Sequence, residues 1–138
     1  MVHSEKLFLK SRGDGEMRDL TAEVSRVVEN GGVRSGIVTV FVVGSTASIT
    51  TIEFEPGLAH DFPAALERIA PSDAHYEHEA RWNDDNGHSH VRASLIGPSV
   101  CVPFNDGALE LGTWQQIVLV DFDTRPRERV IVVQVLGE

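Results

Sequence analysis

Gly36-Ile37-Val38-Thr39-Val40-Phe41-Val42-Val43, followed by Gly44-Ser45-Thr46 and then residues 47–55, is the most strongly patterned stretch of this 138-residue chain. The first run is rich in β-branched residues and reads as a central strand. Residues 47–55 alternate apolar and polar side chains, so they are expected to lie beside it as a second strand. On the N-terminal side, residues 5–10 alternate as a half-buried strand does. Ser11-Arg12-Gly13-Asp14-Gly15 supplies turn residues, after which a short strand is expected to pair back as a hairpin. Leu20, Val24, Val27 and Val28 then recur at helical spacing, with Asp19 or Thr21 as the cap and Asn30-Gly31-Gly32 as the stop.

On the C-terminal side, Pro56-Gly57 breaks the second strand. Residues 61–69 read as a helix with Pro63 in its first turn and Phe62, Leu66 and Ile69 on one face. Residues 71–88 are the least regular segment, and residues 90–96 read as a short helix ended by Gly97-Pro98. Strands are expected over residues 100–104, 109–111, 117–122 and 130–136. Two or three helices among about seven strands, without strict alternation, imply α+β with a mixed, largely antiparallel sheet in a single domain over residues 1–138.

Composition narrows the function classes. Hydrophobic residues make up 41% and charged residues 24%, as in an ordinary globule. Twenty-one acidic residues against 12 basic ones give a formal charge of −9, which argues against nucleic acid or an anionic membrane as partner. The longest apolar run, residues 37–44, is under half a membrane span, and nothing marks the chain for secretion, so a cytoplasmic location is expected. Cys101 stands alone between Val100 and Val102, excluding an intrachain disulfide and reading as a small hydrophobe.

Four of the six histidines, His75, His78, His88 and His90, fall within sixteen residues that also hold Glu77, Glu79, Asp84 and Asp85. Imidazoles and carboxylates gathered on one irregular segment suit a zinc, magnesium or manganese site, although a solvated loop gives the same composition. Leu111-Gly112-Thr113-Trp114-Gln115 provides a tight turn, a hydroxyl, a flat ring and an amide between strands. These are parts of a binding pocket, or alternatively of core or subunit packing around Trp114. Gly44-Ser45-Thr46 offers hydroxyls and N–H groups to an anion, or is a plain turn. Arg125, Arg127 and Arg129 gather three cations in an acidic chain, as a phosphate clamp or a solvated turn.

Ser99-Val100-Cys101-Val102-Pro103-Phe104, Gly107 and Leu111-Gly112-Thr113-Trp114-Gln115-Gln116-Ile117 together resemble the signature of the YjbQ-like family, whose members are described as secondary thiamine-phosphate synthases. Glu55-Pro56-Gly57-Leu58, His60-Asp61-Phe62, Tyr76 with His78, Asp85-Asn86 with His90, and Phe122-Asp123 leading to Arg129 extend the resemblance over nearly the whole chain. The resemblance implies an α+β fold in a homotrimer. It also implies a weak transfer joining a pyrimidine diphosphate to a thiazole phosphate with release of pyrophosphate. On that reading a divalent metal ion (Zn, Mg or Mn) is held by His78, His88 and His90. Asp85, Asn86, Thr113 and Gln115 are the catalytic candidates, and Ser45, Thr46, Arg92, Trp114 and Arg129 hold a small phosphorylated metabolite. The alternative is a non-catalytic trimer that binds a small anion or a metal. One position departs from the family pattern: Gly44 stands where many members carry histidine, which removes one candidate ligand.

Overall fold

The computed structural model describes residues 1–82 and 84–138. Residue 83, within the segment expected to be irregular, lies outside the described residues. The strands are β1 (Val2–Ser11), β2 (Glu16–Asp19), β3 (Gly36–Val43), β4 (Ala47–Ile52), β5 (Ser99–Asn105), β6 (Ala108–Leu109), β7 (Gln116–Asp121) and β8 (Arg127–Gly137). The helices are α1 (Thr21–Gly31), α2 (Pro56–Ile69), α3 (Glu77–Trp82) and α4 (Gly87–Ile96). The α+β class holds, with more helices than the two or three expected.

The strands form two sheets rather than one. Five strands lie in the order β1-β8-β3-β5-β6 and three in the order β2-β7-β4, and every pairing among the described residues is antiparallel. Two sequence expectations are therefore corrected. β4 pairs with β7 and not with β3, so Gly44-Ser45-Thr46 carries the chain from one sheet to the other. β2 likewise pairs with β7 instead of folding back on β1. The physical reason is a shared core. Val38, Val40 and Val42 on β3 and Ala47 and Ile49 on β4 enter the same buried cluster from opposite sheets. Period-two alternation reports which face is buried, and a hairpin and a sheet crossing satisfy it equally.

β7 is buried on both faces. Ile117 and Leu119 enter the main core, whereas Val118, Val120 and Phe122 pack with Leu66 of α2 and Ala93 of α4. This double burial accounts for its unbroken apolar run. α1 closes the main core with Val24, Val27 and Val28 and ends at Gly32, whose φ of 64° a glycine accepts at little cost. Its expected side-chain cap is absent, because Leu20 occupies the capping position. The Thr21 hydroxyl instead accepts from Ile117 N–H at 2.9 Å, and Asp19 Oδ1 accepts from Thr21 N–H at 2.9 Å.

α2 starts five residues earlier than the pattern suggested. The Glu55 carboxylate accepts hydrogen bonds from the N–H groups of Gly57 and Leu58, and Pro56 suits a first turn. Pro63 consequently falls inside the helix rather than in its first turn. The outward face of the larger sheet is unusually apolar, with Phe8, Ile37, Phe41, Val43 and Leu136 all exposed. No helix among the described residues is long and apolar enough to cross a membrane.

Candidate functional site

Three segments meet at one end of the two sheets: the β3–β4 crossing, the β7–β8 connection and the α3–α4 region. Asp121 ends β7 and Arg129 opens the inward-facing row of β8, so the two side chains meet inside the fold. Arg129 Nε donates to Asp121 Oδ2 at 2.7 Å and Nη2 to Oδ1 at 2.8 Å, the paired geometry that guanidinium and carboxylate favour. Nη2 also donates to Thr46 Oγ1 at 2.7 Å, and that hydroxyl donates onward to Asp123 Oδ2 at 2.9 Å. Arg127 Nε reaches the same oxygen at 2.9 Å, and Asn86 Nδ2 lies 3.4 Å from Asp123 Oδ1. Burial alone would raise the Asp123 pKa. The Thr46 hydroxyl, the Thr124 N–H, Arg127 and Asn86 outweigh it and hold the carboxyl below its ordinary range.

Beside this network, His78 from α3 and His90 from α4 stand with ring centres 4.4 Å apart, tilted by 45°. Burial, and then the neighbouring His78, lower the pKa of His90, while hydrogen bonding to the backbone of Ser45 acts in the opposite sense. On the far side, His78 Nδ1 lies 3.0 Å from Asp84 Oδ1. Both atoms are sealed from solvent, yet among the described residues neither has a partner in hydrogen-bond geometry. Asn86 Oδ1 is a third buried atom at this site with no hydrogen-bond partner among the described residues. His78, Glu79 and Asp84 each bring a ligand atom within 4.8 Å of the others. Imidazole nitrogen, carboxylate oxygen and amide oxygen can all offer lone pairs, and leaving such groups buried and unpaired is costly. The donor set therefore fits a divalent cation of the magnesium, manganese or zinc kind.

The structure brings together Ser45, Thr46, His78, Asn86, His90 and Arg129 of the residues singled out from sequence, and places the others elsewhere. His88 is the first correction. Two residues apart on helix α4, His88 and His90 are about 200° apart around its axis. His88 faces a cavity of about 430 Å³ that His60, Glu67 and Arg92 also line. Burial, and next Arg92, lower its pKa. Arg92 is a brace: it donates to Ala70 O at 3.0 Å and to Glu67 Oε2 at 2.6 Å, apart from Arg129.

Asp85 is exposed and accepts from the Thr124 hydroxyl at 2.7 Å and Arg125 at 3.2 Å, so it ties two surface segments together. Thr113, Trp114 and Gln115 precede β7, whereas Asp121 ends it, and that strand spans about 17 Å. Gln115 there donates to Thr51 Oγ1 at 3.2 Å and accepts from Gly112 N–H at 3.1 Å. Trp114 is 72% exposed, which removes it from the core. Glu79 and Asp84 entered the sequence reading only as members of the acidic, histidine-rich window, Asp123 only as part of the Phe122-Asp123 motif, and Asp121 not at all. For the last two a signal existed: Asp121 and Asp123 alternate on one side of a turn as Arg127 and Arg129 do on the other.

The family model for the UPF0047 protein YjbQ-like group matches residues 5–138. The chain belongs to this family. A UPF0047 protein of Methanothermobacter thermautotrophicus is 42% identical over 99% of this chain and 94% of the relative. One from Archaeoglobus fulgidus is 37% identical over 95% of this chain and 99% of the relative. Among solved structures, a YbjQ-like protein of unknown function from Sulfolobus solfataricus superposes with a TM-score of 0.94 at 34% identity, covering 100% of this chain and 99% of that one. A hypothetical protein from Aeropyrum pernix gives 0.89 at 30% identity, with 98% of each chain covered. The family and its fold are thus established, and the family carries no established function.

Proposed function

We propose that this YjbQ-like chain is an enzyme acting on a phosphorylated small molecule with the help of a divalent cation. The specific candidate is the transfer that joins a pyrimidine diphosphate to a thiazole phosphate and releases pyrophosphate. The observation that carries the reading is the buried set His78 Nδ1, Asp84 Oδ1 and Asn86 Oδ1, none hydrogen-bonded among the described residues, beside the exposed Gly44-Ser45 turn. His78 and Asp84, with Glu79, would hold the cation, which would supply charge neutralisation for the departing pyrophosphate. His90, its pKa lowered by burial and by His78, favours the neutral imidazole and can exchange a hydrogen bond with the bound ligand. Arg129, Thr46 and Ser45 orient phosphate oxygens. Self-association into a homotrimer belongs to the same proposal, a second copy covering the apolar outer face of the larger sheet.

A non-catalytic binding protein is the second reading. Thr113 and Gln115 lie at the far end of β7, and Asp85 is held in surface contacts, so those catalytic candidates are missing from the site. Metal analysis after dialysis, together with pyrophosphate release measured with Mg²⁺, Mn²⁺ or Zn²⁺, separates the readings. The enzyme reading expects about one ion per chain, lost in His78→Ala and Asp84→Asn, and metal-dependent release. Equal metal content in all three proteins would remove the cation, and binding without release would leave the second reading.

A further inference from the structure

The Arg129 guanidinium has three nitrogens, and among the described residues two are committed. Nε and Nη2 serve Asp121, and Nη2 serves Thr46 as well. The remaining nitrogen, Nη1, points at the end of β3. The register pairs Val43 with Val130, so its continuation sets Gly44 opposite Arg129 on the inward side. A Cβ built at Gly44 would stand 2.8 Å from Nη1, closer than such contacts occur, and Gly44 has a φ of 146°. Glycine at this position leaves free the space at the end of the guanidinium that a Cβ would fill, in a side chain otherwise buried. The surrounding charges cancel: Arg127 and Arg129 face Asp121 and Asp123. An anion is therefore drawn by the directed N–H groups of Nη1 rather than by net charge.

We propose that Nη1 of Arg129, uncovered by Gly44, seats one terminal oxygen of a phosphoryl group, and that Gly44 is a specificity-determining residue for phosphorylated ligands. This rests on the reading above and names the contact that distinguishes the ligand class. A lone nitrogen fits a single oxygen. The His78–Asp84 pair lies beyond His90, whose ring stands 4.4 Å from that of His78, and it favours an oxygen bound to a cation. A phosphoryl group has terminal oxygens enough for both, and a diphosphate more so, whereas a carboxylate has two in one fixed plane.

The test uses inorganic pyrophosphate titrated calorimetrically into the full chain with Mn²⁺ present. Wild type is expected to bind. Gly44→Ala and Arg129→Lys, the second keeping a cation beside Asp121, are each expected to bind roughly tenfold to a hundredfold more weakly, the scale of one charge-assisted contact. Since alanine is strained at the backbone angle of Gly44, a second measurement needs no variant. In ¹⁵N-arginine-labelled wild type, the Arg129 guanidinium signals are expected to shift on saturation with pyrophosphate. Binding by wild type with unmoved Arg129 signals, or with undiminished affinity in folded Gly44→Ala, overturns this proposal alone. No binding by wild type overturns the phosphorylated-ligand reading and this proposal with it.

Discussion

Asp123 holds the candidate site together through groups from three separate stretches of chain: Thr46, Arg127 and Asn86. Its carboxyl is held below the ordinary range in the folded protein, so the folded state favours the charged form. The sign follows by linkage. The stabilisation is fully present above the ordinary carboxylate range and is lost as pH falls through the lowered folded-state value. Urea midpoints measured at a series of falling pH values are expected to drop more steeply for wild type than for Asp123→Asn, and parallel curves would contradict this. Asp121→Asn is expected to cost about 3–5 kcal/mol, because it leaves Arg129 buried without its counter-charge. Equilibrium unfolding measures it, and a loss under about 1 kcal/mol would refute it. Asp123 entered the sequence reading only as part of the Phe122-Asp123 motif, and Asp121 as one acid among 21 acidic residues. Their importance comes from burial, which a chain with no fold cannot display.

At the scale of elements, the crossings between the sheets position the site, and glycine permits them. Gly13, Asp14 and Gly15 between β1 and β2 all adopt positive φ. A Cβ at Gly13 would stand 2.5 Å from Asp123 O and 2.8 Å from Arg125 O, whereas at Gly15 nothing lies within 4 Å. Their φ angles are nearly equal, 81° and 83°, so backbone strain is common to both and only the clash differs. Gly15→Ala is expected to cost about 1–3 kcal/mol from strain, and Gly13→Ala clearly more, because its neighbours are backbone atoms under the site. Thermal midpoints of the two variants check the order, and a reversed order would refute the account. Strand positions were legible because alternation and β-branching are local properties, as β3 and β8 illustrate. The start of α2 was misread because Glu55 acts through its carboxylate at a position usually held by shorter polar residues.

At the scale of the whole molecule, the larger sheet leaves an apolar face outward. Phe8 is opposite Val130, which is opposite Val43 on the next strand, so the exposed side chains form a row across β1, β8 and β3. The proposed homotrimer would cover that row with further copies, and light scattering at low micromolar concentration is then expected to report about three times the 15.1 kDa chain mass. Phe8→Glu with Val43→Glu is expected to lower that mass, and a monomeric wild type would contradict the assembly. The amino-acid pattern was enough for the α+β class, the approximate strand positions and the family, and it singled out His78, His90, Thr46 and Arg129, which the fold brings together. Periodicity, turn chemistry and motif identity are written in neighbouring residues. The pairing of β4 with β7, the turning away of His88, and the meeting of Asp121 with Arg129 required the folded molecule. Each depends on which distant segments share a core, and local spacing carries no record of that.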